Sequence, residues 1–490
     1  MLKHRAMGAL WWTGAQNVVD EALRLAIFLV LARLLTPHIY GLMALVGVYL
    51  ALANLIVEQG LARALVQREE VRPDHFDTVF WWQLTLAALI CTFGIFAADF
   101  VAQLTDPSLA PVLRAMAFIT PLIALNAVQL ARLERELRNK TIAVARLASS
   151  IVAGVIAITL AAHGFGIWSL AAQQLIAAAL YAVLIWSGSP WRPGARLSRR
   201  ALAELSGFAG GLLGLDGLNL LRKQGDKLLI GIALGPAALG LYATAQRLLE
   251  TLTQACVRPV SQLGLPLLSR FQGRTDDVRA AYLRLLQIAA ALAFPVFFGL
   301  FALAPEIVAA VLGPQWQAIT TPLRILSALG IFHAIYLVDG ALILSQGTSL
   351  LRFKLTAVYV FLALALYALL APLGIEAVCA GGVAAAFVFL PLELQVVRRQ
   401  TGAAWREFFA RLWPATTAAT AMAAGIFLFK RSAMAAWHDV TVFAVSVPVG
   451  AAIYLACLFT LSPIARRLAG EFIAHAMARR RRVVGAAPEA

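Results

Sequence analysis

The chain has 490 residues, of which 61% are hydrophobic and 13% charged, and its formal net charge is +16. A soluble globular chain is nearer half apolar and a quarter charged, so this composition excludes a soluble enzyme or nucleic-acid binder, and the mean hydropathy of +0.80 marks an all-α polytopic membrane protein. The apolar excess is organised into runs such as "LRLAIFLVLA", "LIAAALYAVLI" and "VYVFLALALYALLA", each fitting a span that needs roughly 20 apolar residues.

The first helix is expected near 10–33. Basic residues followed by an apolar run imitate a signal peptide, but the run continues through Asp20, Glu21 and Arg24 with no small-residue cleavage site. It therefore reads as a retained membrane helix. Thirteen more follow near 41–66, 79–101, 111–131, 142–162, 165–186, 205–234, 237–262, 285–304, 318–344, 353–371, 374–397, 411–429 and 441–460, about fourteen transmembrane helices in all.

The basic residues fall between these helices on one side. "RLERELRNK", "WRPGARLSRR", "SRFQGRTDDVR", "RRQTGAAWREFFAR" and the tail "ARRRR" share that side, whereas Arg33, Arg114, Lys430 and Arg431 fall on the other. Inward loops carry the excess of Lys and Arg, so both termini are expected in the cytoplasm. The net charge then reflects topology and attraction to anionic membrane lipids, with no nucleic-acid partner. All eleven tryptophans, among them Trp11, Trp12, Trp81, Trp82, Trp168, Trp316 and Trp437, lie at or near expected helix ends, the pattern of an interfacial aromatic belt. Cys91, Cys256, Cys379 and Cys457 are isolated, which supports neither a disulfide framework nor a metal site.

"LTPHIYGL" (35–42) and "LGPAALGL" (234–241) both place Pro early in a new helix, where its missing N–H costs nothing. The offset is 199 residues, and upstream it sets Asn17 on Asp216, Asp20 on Asn219 and Arg24 on Lys223. Six expected helices separate the copies, so both run the same way. Two pseudo-symmetric six-helix lobes around a central cavity follow, spanning 1–190 and 191–400. Helices 13 and 14 (401–462) are an appendage, and 463–490 a basic cytoplasmic tail.

"GLDGLNLLRKQGDKLLIGIALG" (214–235) carries Asp216, Arg222, Lys223, Asp226 and Lys227 inside an apolar context. At the helical period, Asp216, Lys223 and Lys227 lie within about 40° of one another, with Asn219 and Asp226 beside them and Arg222 at the margin. Arg24 and Lys223 both lie roughly 18 Å from the Pro-marked turn. Each centrally placed Asp, Lys or Arg costs about 2.5–3.5 kcal/mol, against about 0.3–0.6 returned by each Leu or Ile. Such a face cannot meet lipid. It either pairs with opposite charge, as Asp20–Arg24 and Asp226 with a basic neighbour would, or lines an aqueous cavity. A net-basic cavity suits an anion, a phosphate above all. Arg24, Lys223, Lys227, Arg222, Asn17 and Asn219 are the substrate-binding candidates, and Asp20, Glu21, Asp216 and Asp226 the coupling-ion or ion-pair candidates.

Other polar residues give weaker signals. Glu58, Arg63 and Asp339 sit towards the cytoplasmic ends of their helices, where snorkelling is cheap. Arg247, Glu250 and Arg258 point to separate faces, and His333 with Tyr336 suits packing better than a path. None has the spacing of a catalytic triad or a metal site, so no catalytic residue and no cofactor is expected.

With these residues in hand, the chain resembles bacterial oligosaccharide flippases, the polysaccharide transporter family of the multidrug/oligosaccharidyl-lipid/polysaccharide exporter superfamily. The resemblance rests on "ARLLTPHIYGLMAL" (32–45), "EQGLARALVQRE" (58–69), "TVFWWQL" (78–84), "GFGIWSLAAQQ" (164–174) and "GDKLLIGIALGPAALGLYATAQRL" (225–248), extended by "PLLSRFQ" (266–272) and "VLGPQWQAI" (311–319). It implies transfer of an undecaprenyl-diphosphate-linked oligosaccharide from the cytoplasmic to the periplasmic leaflet of the bacterial inner membrane by alternating access. Lys227 of "GDKLLIG" is the best-anchored counterpart of a diphosphate-binding base, with Arg24 and Lys223 beside it; Gln224 departs from the short polar residue often found there. Coupling to H+ or Na+, and partnership with a polysaccharide polymerase and export machinery, belong to the same expectation. Two rivals stand beside it. A drug or cation exporter of the superfamily would want surplus acids in its cavity, and a membrane polysaccharide polymerase or glycosyltransferase would want acids on a sizeable outer loop.

Overall fold

The computed structural model describes residues 19–58, 61–68, 70–433, 439–462 and 466. Among them there is no strand. The elements are α1 (19–34), α2 (Pro37–Glu58), α3 (Leu61–Gln67), α4 (Pro73–Leu104), α5 (Leu109–Ala117), α6 (Ile119–Arg135), α7 (Asn139–Ala162) and α8 (Ile167–Gly188), then α9 (Arg199–Cys256), α10 (Arg258–Ser269), α11 (Thr275–Ile307), α12 (Thr320–Ser345), α13 (Ser349–Leu370), α14 (Ile375–Thr401), α15 (Trp405–Ala433) and α16 (Asp439–Leu461). Helices dominate because hydrocarbon offers the backbone no hydrogen-bond partner, and a helix satisfies its own.

Twelve segments among the described residues are long and apolar enough to cross a membrane. Fourteen helices are compatible with that count. One of the twelve, Asp216–Cys256, contains two expected helices that meet at Gly235, whose φ of 80° and ψ of 175° are not helical. The first expected helix is described only from residue 19. At two places a single expected helix is two elements, and at a third the described residues are interrupted. The helix expected at 41–66 is described as α2 and α3, with residues 59 and 60 between them outside the described residues. The one at 111–131 is α5 followed by α6, and the one at 237–262 ends at Cys256, with α10 taking over from Arg258 and running on to Ser269. The apolar runs continue past these places and read as single helices, although Pro121 and Pro259 stand in the first turns of α6 and α10, where a proline can open a new helix.

The residues divide into two compact units. The first holds the described residues up to Thr244 with Val311–Ala318 and Val360–Val378; the second holds Ala245–Ala310, Ile319–Tyr359 and the described residues from Cys379 on.

Within the first unit, residues 189–198 are bound to the start of α4. Gly194 N–H donates to Asp77 Oδ1 (3.0 Å), Ser198 N–H to Thr78 Oγ1 (3.0 Å), and Trp81 Nε1–H to the Gly194 carbonyl (2.9 Å). Arg135 Nη1 donates to the carbonyls of Leu65 (2.7 Å), Val66 (3.3 Å) and Arg68 (2.5 Å), satisfying the orphan acceptors at the end of α3. Glu204, near the start of α9, accepts from Arg68 (2.7 Å) and Arg200 (3.0 Å) and lies 3.3 Å from His75 Nε2. Burial pushes the Glu204 carboxyl up, but the bonds from His75, Arg200 and Arg68 and the Arg72 charge outweigh it and hold the group below its ordinary value.

At the end of α1, Trp316 Nε1–H donates to the Ala32 carbonyl (2.7 Å), Gln315 Nε2 to the Arg33 carbonyl (2.8 Å), and Arg33 Nε to the Val311 carbonyl (2.9 Å). Trp316 is therefore no belt residue: its exposure is 0%, against 39% for Trp81 and 42% for Trp82. The Ala32 carbonyl, left orphaned where α1 stops, takes its indole N–H inside the protein.

In the second unit, α15 and α16 are fastened to α11. Arg279 grips Glu407 with two hydrogen bonds, and Tyr454 Oη donates to the Ala291 carbonyl (2.8 Å). Lys430 pairs with Glu306 at 2.5 Å and also donates to the Ala302 carbonyl (3.1 Å), with both partners buried. The core beside them includes Tyr282, Leu286, Leu342, Val397 and Phe408.

Candidate functional site

The repeat seen in the sequence becomes a contact within the first unit. Pro37 opens α2, and Pro236, directly after the break at Gly235, opens the second half of α9. A Cβ on Gly41 would overlap the carbonyl oxygen of Pro236, and one on Gly240 would overlap that of Pro37. The 199-residue offset maps Gly41 onto Gly240 and Pro37 onto Pro236, so each copy touches the other through its equivalent residues. A self-complementary contact of this kind is the mark of a local two-fold relation. Only residues without a Cβ allow two backbones this close.

The charged stretch upstream of Gly235 separates into two environments. Asn219, Arg222 and Lys223 are exposed and Lys227 and Asp216 half-buried. Among the described residues, no ion pair engages the side chains of Arg222, Lys223 or Lys227. Asp226 is different: it is 4% exposed, accepts from Tyr242 Oη at 2.7 Å and from the Lys227 backbone N–H at 2.8 Å. Tyr242 in turn adjoins Tyr367. The acid is thus turned inward to hydroxyl and backbone donors, while the bases stay outward.

On α1, Arg24 Nε donates to Asp20 Oδ2 at 3.1 Å, one turn apart, with the Arg24 side chain 49% exposed. This is the expected Asp20–Arg24 pair. Glu21 is exposed. Asn17 lies outside the described residues, as do Trp11, Trp12, Trp437 and the "ARRRR" tail; nothing is described of the Glu58 and Arg63 side chains. No hydrogen bond or ion pair joins Arg24 to Lys223; what they share is position in the repeat. Among the described residues no group of three His, Cys, Asp or Glu could hold a metal ion.

Sequence reasoning undervalued one residue and missed two. Asp339, expected to reach the interface from a helix end, is 0% exposed and accepts from Tyr282 Oη at 2.5 Å. Most residues of the helix that carries it are buried, and its carboxyl is held by Tyr282 instead of reaching out to the interface. Glu393, also 0% exposed, pairs with Arg352 at 2.6 Å. The available signal was Glu393 itself, a lone acid in the apolar run "FVFLPLELQVV" (387–397).

The architecture is found in solved transporters. The lipid II flippase MurJ in an inward closed conformation superposes with a TM-score of 0.75 over 91% of this chain and 97% of that one, at 11% identity. An inward-facing multidrug resistance MATE family transporter gives 0.59 over 79% of this chain and 96% of that one, at 16% identity. The protein is a multi-pass membrane protein with the fold of these transporters. A family profile described as polysaccharide biosynthesis protein matches residues 30–321, and the chain belongs to that family. Among its relatives, the lipopolysaccharide biosynthesis protein WzxC of Escherichia coli (strain K12) is 22% identical over 84% of this chain and 85% of its own length. The succinoglycan biosynthesis transport protein ExoT of Rhizobium meliloti (strain 1021) is 28% identical over 62% of each. The teichuronic acid biosynthesis protein TuaB of Bacillus subtilis (strain 168) is 21% identical over 71% of this chain and 72% of its own length.

Proposed function

We propose that this protein is a flippase that carries an undecaprenyl-diphosphate-linked oligosaccharide from the cytoplasmic to the periplasmic leaflet of the bacterial inner membrane. The observation that carries the reading is the base-rich face of α9, in a chain whose named relatives serve polysaccharide biosynthesis and transport and whose fold matches a lipid II flippase. A glycan head group cannot cross hydrocarbon, whereas a prenyl tail can stay in it. The protein therefore has to supply a polar slot with a lateral opening, and no bond is made or broken.

In this reading Arg24, Lys223 and Lys227, with Arg222, Asn17 and Asn219, receive the diphosphate and the first sugars. Lobes 1–190 and 191–400 alternate access, helices 13 and 14 (401–462) are an appendage, and both termini face the cytoplasm. Outward movement of the anion is favoured by an inside-negative potential, at about 2.3 kcal/mol per charge per 100 mV. A drug or cation exporter would reverse the charge of the exposed face, presenting acids where α9 presents Arg222 and Lys223 and buries Asp226.

The test is reconstitution into liposomes that hold a lipid-linked oligosaccharide, with oxidation of the glycan by external periodate. Protein-containing vesicles should expose nearly all of the glycan with time and protein-free vesicles about half. Equal exposure in both rejects the reading.

A further inference from the structure

In the second unit, four side chains from four helices meet inside the membrane-spanning part of the chain. Asp339 on α12 accepts a hydrogen bond from Tyr282 of α11 (2.5 Å), and Glu393 on α14 pairs with Arg352 of α13 (2.6 Å). The Arg352 guanidinium lies 3.9 Å from the centre of the Tyr336 ring, and its Nη2 donates to the Tyr336 carbonyl at 3.4 Å, one turn before Asp339. It passes over Gly340, where a Cβ would come within 2.9 Å of Nη2. The charged and titratable groups that act on Asp339 and Glu393 are Tyr282, Arg352 and each other. α12 and α13 also carry Arg324, His333, Tyr336, Lys354 and Tyr359, with Tyr336 and Tyr359 in an aromatic cluster with Phe332 and Phe389.

The cluster is unbalanced. Two carboxyls at 0% exposure face one guanidinium. One oxygen of each carboxyl, Asp339 Oδ2 and Glu393 Oε2, is buried with no hydrogen-bond partner. With both acids ionised the site carries one uncompensated negative charge, which apolar surroundings make costly. Two free oxygens offer little to a hard metal cation, which takes a larger shell of oxygen ligands. A single proton is enough: it removes the surplus charge and gives one of the orphaned oxygens a hydrogen to donate.

We infer that Asp339, Glu393, Arg352 and Tyr282 form a proton-binding site in which the two carboxyls share one proton. The site is separate from the basic face of α9 and does not depend on the flippase reading. The charge count makes a specific demand. Removing either acid leaves one carboxylate opposite one guanidinium, and a neutral pair needs no proton.

Infrared difference spectra of the full-length protein, taken as the pH moves from mildly acidic to mildly alkaline, read this directly. Wild type should show a protonated-carboxyl band that titrates. Asp339→Asn and Glu393→Gln should each lose that component, although each leaves one carboxyl in place. Tyr282→Phe, which keeps both acids and the ring, should shift the frequency of the band because its hydroxyl donates to Asp339. Absence of the band in wild type, its persistence in either acid variant, or an unshifted band in Tyr282→Phe overturns the inference.

Discussion

Gly41 and Gly240 face each other across a local two-fold, each lying against the backbone of the proline that opens the other's helix. The contact joins equivalent residues of the two repeats, and it fixes how closely α2 and the second half of α9 cross. Gly41→Ala and Gly240→Ala should each destabilise the protein by about 1–3 kcal/mol, the usual cost of overpacking. Gly47, on the same helix α2, has open space where a Cβ would go, with nothing within 4 Å. Gly47→Ala should therefore hold or raise the thermal midpoint, since Ala favours a helix over Gly by about 1 kcal/mol. Equal midpoints for all three variants would show that the crossing is looser than the glycine contacts imply.

Asp226 and Lys227 are neighbours in sequence with opposite surroundings, and they should respond differently. Tyr242→Phe removes a donor from a buried carboxyl and should cost about 1–3 kcal/mol, read by thermal unfolding. Lys227→Gln should melt close to wild type, because no described partner depends on its ammonium, yet fail to export glycan. Lost stability with retained export in Lys227→Gln would make Lys227 a structural residue.

The Glu204 cluster gives a pH dependence. Its carboxyl is held below the ordinary value of 4.5, so its bonds to His75, Arg200 and Arg68 stabilise the fold above that value and are lost as pH falls through the folded value. Glu204→Gln should melt below wild type at neutral pH, and the gap should close under acid conditions below 4.5. A gap that is the same at every pH would remove the titration from the account.

Topology is open to labelling. Arg196, Arg274 and Gln317 are all exposed, so a cysteine at any of them can react. Cysteines at Arg196 and Arg274 should require a membrane-permeant reagent in intact cells, and one at Gln317 should react with an impermeant reagent. Outside labelling at Arg196 or Arg274 would invert the orientation inferred from the loop charges.

The fold was legible where local pattern carries it. Apolar runs marked the helices, and the spacing of Pro37, Gly41, Pro236 and Gly240 marked the repeat, because the same backbone requirement recurs at one offset. What escaped was tertiary. The end of α5 and the start of α6 share one apolar run, which reads as a single helix. In the sequence Trp316 falls near an expected helix end, as the other tryptophans do, and only the orphan carbonyl of Ala32, 284 residues away, draws it inside. Asp339 meets Tyr282 from 57 residues away and Arg352 meets Glu393 from 41, pairings that no window of sequence displays. In the α9 stretch the excess of bases was legible, but the partner of Asp226 was not: Tyr242 lies beyond the break at Gly235, where helical periodicity stops predicting neighbours.

The central claim is that the exposed bases of α1 and α9 hold a lipid-linked diphosphate, and native mass spectrometry of the gently purified protein tests it most directly. Wild type should carry a bound species whose mass and fragmentation give a prenyl diphosphate bearing sugars. The folded double variant Arg24→Ala with Lys223→Ala should lose most of that species, while Arg24→Lys with Lys223→Arg should keep part of it, since phosphate accepts either cation. Wild type carrying only phospholipid, or a double Ala variant that binds the glycolipid as well as wild type does, would contradict the account.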